Sequence, residues 1–286
     1  MEFLRESCEH YRRAYALAKR ILLENKKLRF PLTPVSLNMI LDDSMISRKQ
    51  ELGILEIPTN LIVGVAEDSE RRQLYTKDFL PVSPPDSDYA DQWCRLYQVL
   101  LSGADFDKPI SCYEYLGKFY VCDGMKRVSA AKYHSVACLR AQVIRILPLN
   151  AASREVSLYY DFLYQYRFTK LYQLQFTQPG FYEELQTGLG LRATHRWSNS
   201  DRAYFLAHWP RIEEAFHKSY EGTLLITAAD ALVILMRKYS FETITSMESW
   251  ILPRVFQALG KELYALSLSV KSAMDEESEM AVPQSA

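Results

Sequence analysis

Apolar side chains recur at three- and four-residue intervals through the first two dozen residues: Phe3, Leu4, Cys8, Tyr11, Tyr15, Ala18, Ile21 and Leu22, with Arg and Lys between them. That period predicts an amphipathic helix over residues 1 to about 28, closed by Pro31 and Pro34. Residues 35 to 50 read as a second short helix. The run ILEIPTNLIVGVA (54–66) is β-branched and strand-like, interrupted at Pro58, and RRQLYTKDFLPVSP (71–84) is a second extended candidate. SPPDSDYA reads as a loop in which Asp86 or Ser87 caps the next helix, DYADQWCRLYQVLLSG, which Gly103 ends.

The segment KPISCYEYLGKFYVCDG alternates like a hairpin: PISCYEY, a turn at Leu116-Gly117-Lys118, and the return strand FYVC. VSAAKYHS follows as a helix and CLRAQVIRIL as a strand closed by Pro148. From 54 to 148 the order is therefore strand, strand, helix, hairpin, helix, strand, which describes an α+β unit preceded by a helical arm over 1–53.

The rhythm changes after Asn150. SREVSLYYDFLYQYRFTKLYQLQF is aromatic-rich and helix-spaced, and Pro179-Gly180 breaks it. FYEELQTGLG, SDRAYFLAHWPRIEEAFHKSY, TAADALVILMRKYSFETI and residues 246–270 continue a helical domain over 151–270, with Ser200 or Asp201 and Thr227 as N-caps. The acidic ending, 271–286, reads as a disordered tail. No internal repeat is present.

Composition narrows the class. The chain has 286 residues, 48% of them apolar, and a formal net charge of -1. It can bury a sizeable core, and it exerts no chain-wide pull on nucleic acid or anionic membrane. Five scattered cysteines without a C-x-x-C pair are neither a zinc framework nor a disulfide scaffold, and they fit a reducing compartment. No apolar run reaches the roughly 18 to 20 residues of a membrane span, and the charged N-terminus has no apolar signal core. The expectation is a cytoplasmic protein without membrane contact. The five histidines lack H-x-x-x-H spacing, and the nucleotide-binding and hydrolase motifs built on glycine-rich or G-x-S-x-G turns are missing.

Candidate chemistry concentrates in YVCDGMKRVSAAKYH, residues 120–134. Glycine after a strand permits a tight turn and close approach of a ligand. The helix that follows offers unpaired N–H groups and a partial positive charge, to which Lys126 and Arg127 add two full charges. Those cations oppose the helix dipole, whereas a bound anion would be favoured by all three features. Asp123 could orient a metal ion or accept a proton. A plain turn with solvated cations is the competing reading.

The run PISCYEYLGKFYVCDGMKRVSAAKYHSVACLRAQVIRI resembles the core of the ParB/sulfiredoxin-like superfamily. Its members lead a strand pair into a D-G-x-x-R or G-x-x-R turn, matched here by Asp123, Gly124 and Arg127. A small-residue helix follows (Val128, Ala130, Ala131), then a closing strand matched by Ala141-Gln142-Val143-Ile144. The resemblance covers roughly residues 54–148 and is strong over 109–146. It implies a mixed-sheet α+β domain there and carries no signature for the helical domain that follows.

It also implies that the turn grips nucleotide phosphates. ParB proteins bind CTP there and DNA elsewhere, sulfiredoxins handle ATP with a reactive cysteine, and some D-G-H-H-R relatives are kinases or nucleases. Carried over by position, Gly124, Met125, Lys126 and Arg127 would contact the phosphates of CTP or ATP, with Mg2+, and Asp123 would be the acidic or catalytic partner. Met125 stands where a sulfiredoxin has its cysteine, so sulfinic acid chemistry is not expected, and Cys122 reads as core. Lys126 replaces the usual histidine or arginine, which removes an imidazole proton shuttle but keeps a cation.

Further carboxylates for phosphoryl transfer would come from Glu114, Asp86, Asp88, Asp91, Glu56 or Glu67. The aromatics Tyr159, Tyr160, Phe162, Tyr164, Tyr166, Phe168, Tyr172 and Phe176 either stack bases or pack a core. Arg192, His195, Arg196, Arg202 and Arg211 form the most basic stretch of the second half and either touch nucleic acid or line a polar loop. Together these readings favour a nucleotide- or phosphate-binding protein of bacterial or mobile-element type, a DNA-associated regulator whose helical domain meets DNA or a protein partner. The alternatives are a metal-dependent phosphotransferase or nuclease using Asp123, and a degenerate fold used for protein contacts.

Overall fold

Residues 35–148 supply six strands: β1 (Val35–Ser36), β2 (Ile46–Pro58), β3 (Ile62–Val65), β4 (Ile110–Tyr115), β5 (Lys118–Asp123) and β6 (Cys138–Pro148). They form one mixed sheet in the order β1-β3-β5-β4-β6-β2. The computed structural model describes residues 2–28, 32–149, 153–192, 194–220 and 222–280, and the chain divides into two units, 1–150 and 151–286. Among the described residues no helix is long and apolar enough to cross a membrane.

The β4–β5 hairpin turns through Leu116 and Gly117 at φ 50 and 73, both left-handed, which matches the strand twist in a two-residue loop. Pro58 ends β2 at one edge of the sheet, and the chain crosses to β3 near the other. The strand-like run 54–66 is thus two strands rather than one. Two expectations fail here. Residues 35–50 are not helical: after β1 come two single 3-10 turns, and from Ile46 the backbone joins β6, with Lys49 opposite Ile146 and Glu51 opposite Ile144. A backbone ladder to a long neighbour outweighs weak helical spacing there. Residues 71–84 are not a strand either. They hold a 3-10 turn (Glu70–Leu74) and a single bridge between Tyr75 and Pro81, around the buried Tyr75 and Phe79.

Helix α1 (Glu2–Leu28), the start of the expected helical arm, falls within this first unit and packs on it. Ser7, Tyr11, Ala14 and Ala18 are its buried stripe, and the small residues let it lie close to α2 (Asp88–Leu101). The Tyr11 hydroxyl donates to the carbonyl of Ser83 at 2.8 Å, and its ring meets Trp93 edge-on at 5.2 Å. Ser87, not Asp86, caps α2 by accepting from the Ala90 N–H. Trp93 Nε1 donates to Ser129 Oγ at 3.0 Å, tying α2 to α3 (Met125–Tyr133).

One sheet face carries Ile110, Cys112 and Glu114 on β4 opposite Ala141, Val143 and Arg145 on β6. The first two pairs are apolar and buried, and the third is an ion pair in the same row. Glu114 is fully buried and bonds Arg145 Nε, while its other oxygen accepts from the Gly117 N–H at 2.9 Å in the hairpin turn.

The second unit, 151–286, is all-helical among its described residues: α4 (Arg154–Thr169), α5 (Phe181–Gly188), α6 (Asn199–Tyr220), α7 (Ala228–Met236), α8 (Phe241–Ser246), α9 (Ile251–Ala258) and α10 (Gly260–Met280). Its core runs from Leu171 through Trp197, Phe205 and Trp209 to Phe256 and Leu263. Helix α4 stops where Lys170 turns left-handed at φ 59, short of the expected Phe176. The predicted single helices over 227–244 and 246–270 are each two. Thr227 caps α7 through a reciprocal box with Asp230, and Ser240 caps α8 after the break. At the start of α6 it is Ser198, not Ser200 or Asp201, whose hydroxyl accepts a helix N–H, at 3.1 Å from Asp201 N. The helix α10 extends to Met280, where disorder was expected from 271, because Lys, Ala, Met and Glu there are strong helix formers. Residues 281–286 of that tail lie outside the described residues.

Replacing Glu114 by Ala leaves the Arg145 guanidinium and the Gly117 N–H without their buried acceptor. Urea unfolding of the full chain should show the transition of the sheet unit destabilised by about 3–5 kcal/mol. A loss below about 1 kcal/mol would mean that water reaches this pair.

Candidate functional site

The end of β5 protrudes because its parallel neighbour is shorter. The last β3–β5 pair is Val65 with Val121, so Cys122 and Asp123 lie beyond it and are exposed. Cys122 is therefore not the core residue expected from its strand position. Gly124 then turns the backbone at φ +100, and α3 begins at Met125 with no side chain capping its first turn. The Met125, Lys126 and Arg127 amides occupy the positions that a helix leaves unpaired.

A cavity of about 480 Å³ opens at this junction. Residues 122–127 form one wall, Arg71, Leu74 and Tyr75 come from the turn after β3, and Tyr89 and Leu96 come from α2. The five residues singled out in the sequence, Asp123 to Arg127, thus do line one pocket.

The two cations take different roles. Arg127 Nη1 donates to the carbonyls of Lys108 at 2.5 Å and Pro109 at 2.8 Å, and Nη2 donates to Asp123 Oδ2 at 2.9 Å. Its side chain is only 15% exposed, whereas that of Asp123 is 78% exposed. The guanidinium therefore ties the entry to β4 and the end of β5 to the first turn of α3. Lys126 Nζ bonds Gln92 Oε1 and lies 5.1 Å from the centroid of the Tyr89 ring, so its charge is held against the α2 wall. Arg71 is exposed at the rim and brings a second cation.

Gly124 makes the expected tight turn but does not open space for a ligand. A Cβ there would lie 2.6 Å from Ile110 Cγ2 and 2.9 Å from Arg127 Nη2, so the space that a side chain would take is filled by the protein itself. The glycine is demanded by the left-handed turn and by the packed arginine, not by room for a ligand.

The other titratable groups of the wall carry no charge near neutral pH. Burial pushes the Tyr75 hydroxyl up to about 12 and that of Tyr89 higher still. Although Cys122 is exposed as a residue, desolvation of its thiol by the cavity wall pushes it up to about 11, so it is not the thiolate a reactive cysteine needs. With Asp123 paired to Arg127, the cavity keeps the net positive charge of Lys126 and Arg71.

The remaining candidate acids lie elsewhere. Glu114 is buried in the sheet with Arg145, a position legible in the alternation Ile110, Cys112, Glu114. Asp88 and Asp91 occupy the first turn of α2, where they complement its dipole. Glu56 lines a different, smaller cavity, and neither Asp86 nor Glu67 lines this one. Among the described residues no three His, Cys, Asp or Glu side chains gather as a metal-binding group. Asp123 is the one carboxylate of the cavity and is already paired, so the residues present do not fit a metal held by the protein.

In the helical unit, Tyr159, Phe162, Tyr172 and Phe176 are buried; Phe162 meets Tyr159 at 6.1 Å and Tyr172 at 5.5 Å, and Phe176 meets Phe181 at 6.4 Å, which is core packing and not a stacking platform. Tyr160 and Tyr164 stay partly exposed. Arg202 donates to the Trp197 carbonyl and Arg211 to the carbonyls of Met247 and Thr245, so these two secure loops, while Arg192 and Arg196 remain exposed. Arg71, Tyr75, Tyr89 and Gln92 were missed in the sequence. Tyr89 and Gln92 share a helix face at i, i+3, but no local signal brings Arg71 to residue 126.

Gly124→Ala should destabilise the protein by at least about 1–2 kcal/mol, from the left-handed backbone alone, with the Ile110 contact adding to it. Asp123→Asn, which breaks an ion pair with a largely exposed partner, should cost less than about 1 kcal/mol. Paired chemical-denaturation curves check the contrast, and equal losses would contradict the assignment of Gly124 as the structural residue of the turn. No protein-family model matches the chain, and no curated protein matches it.

Proposed function

We propose that residues 1–150 are a phosphate-binding module of ParB-like type, taking a nucleotide such as CTP or ATP with its phosphates at the start of α3. One observation carries this reading: the cavity at the β5–α3 junction joins an uncapped helix N-terminus to two cations, Lys126 and Arg71, while its one acid is already paired. A polyphosphate is the ligand class that all of these features favour together. The volume of about 480 Å³ falls within the range of small-molecule sites. Leu74, Leu96 and the Tyr75 and Tyr89 rings offer the apolar surface a base would need.

In this reading Lys126 and Arg71 meet the phosphates, and Arg127 acts as a positioning residue that holds the turn. Magnesium would arrive on the nucleotide, since the cavity has no free carboxylate to hold it. A contact between the helical unit and DNA would fall to exposed arginines such as Arg192 and Arg196.

Isothermal titration of the full chain with CTP, ATP and GTP, each with and without magnesium, tests the reading. We expect binding of at least one nucleotide, weakened about tenfold in Lys126→Ala and in Arg71→Ala, each of which removes a charge-assisted contact. No heat with any of the three would remove the proposal. Nucleotide turnover that disappears in Asp123→Ala would favour a phosphotransferase or nuclease instead.

A further inference from the structure

The helical unit holds a second cavity, of about 470 Å³, nearly the volume of the first and of opposite charge. Its wall includes Asp201 and Glu242 and no lysine or arginine. Around these acids runs an unbroken chain of aromatic rings. Trp197 meets Phe205 edge-on at 5.4 Å, Phe205 stacks on Phe241 at 5.8 Å and 9°, and Phe241 meets Tyr204 edge-on at 6.0 Å. Trp197, Phe205 and Phe241 are buried, and Tyr204 is half-exposed at the rim.

The acids differ in what they already do. Asp201 Oδ2 accepts from the Ser198 N–H at 2.7 Å and lies 3.5 Å from His195 Nε2. The Glu242 carboxylate is exposed, and among the described residues it has neither a cation nor a hydrogen-bond donor. Both acids sit in the first turns of their helices, α6 and α8, which by itself stabilises them there. Asp201 is shared with the Ser198 N–H and His195, so the negative charge of the cavity is carried chiefly by the exposed Glu242 carboxylate, with no lysine or arginine in the wall to offset it.

A negative cavity lined by aromatic rings, with Tyr204 half-exposed at its rim, selects among ligands. An anion is repelled. A bare metal ion would find two carboxylates but otherwise rings in place of the oxygen ligands it needs. A neutral apolar molecule would gain nothing from the acids. An alkylated cation gains from both, through attraction to the carboxylates and through cation–π contact.

We propose that this cavity binds a small organic ammonium ion, its charge toward Glu242 and Asp201 and its alkyl groups against Trp197, Tyr204, Phe205 and Phe241. The site is independent of the phosphate cavity, which lies in the other unit.

Isothermal titration of the full chain with choline and with tetramethylammonium tests this, alongside 3,3-dimethylbutan-1-ol, which has the shape of choline without its charge. Both ammonium ions should bind, and the neutral isostere at least about tenfold more weakly. Glu242→Gln and Tyr204→Leu change exposed positions, so circular dichroism should show the fold intact. Each should weaken choline binding by about three- to tenfold. Absence of ammonium binding at about 10 mM ligand, where even a millimolar site gives heat, would overturn the proposal. So would equal affinity for the neutral isostere, or unchanged affinity in folded Glu242→Gln.

Discussion

The guanidinium of Arg127 is the constraint on which the β5–α3 junction depends. With one nitrogen it binds the carbonyls of Lys108 and Pro109, which lead into β4, and with another it binds Asp123 at the end of β5. A planar fork reaches three acceptors in different directions, which a lysine ammonium on a flexible stem does not reproduce. The arginine also fills the space beside Gly124, where a Cβ would come within 2.9 Å of it. Acid, glycine and arginine at this spacing therefore form one lock: the glycine makes room for the arginine, and the arginine pairs with the acid.

That lock separates two roles that sit within five residues of each other. Asp123, Gly124 and Arg127 hold the shape of the turn, while Lys126 lines the cavity at the uncapped start of α3. Arg71 joins it from a turn more than fifty positions earlier in the chain. The scaffold behind this surface is stiffened by a second pairing of opposite charges, Glu114 with Arg145, which extends an otherwise apolar row of the sheet and also holds the hairpin turn through the Gly117 N–H. A pair in such a place costs desolvation and returns specificity of register, since a slip of one residue between β4 and β6 would leave the two charges on opposite faces.

Near-neutral net charge conceals a division between the units. One cavity is cationic beside an uncapped helix start, and the other is acidic within a chain of aromatic rings. The basic stretch at 192–211, which by composition read either as a nucleic-acid contact or as a polar loop, in part supplies arginines that bind loop and helix carbonyls. Arginine serves equally well as a ligand for phosphate and as a donor to backbone oxygens, and only its surroundings distinguish the two.

The hairpin, the α2 and α3 helices, the closing strand and their order were legible in the chain, because each rests on local period and turn chemistry: the Leu116-Gly117 turn, the Ser87 cap and the alternation of β4. So was the clustering of residues 123–127, since five consecutive positions at a strand end cannot lie far apart. What was not legible depended on partners distant in sequence. Residues 46–51 became strand only because β6 runs beside them, the predicted strand at 71–84 became a turn around buried aromatics, and the long helical readings of 151–270 broke where left-handed or capping residues turned the chain. Which charges face the cavity, and which are tied down inside the protein, was likewise decided by tertiary structure, because a side chain's partners come from whatever packing brings within about 3 Å of its polar atoms.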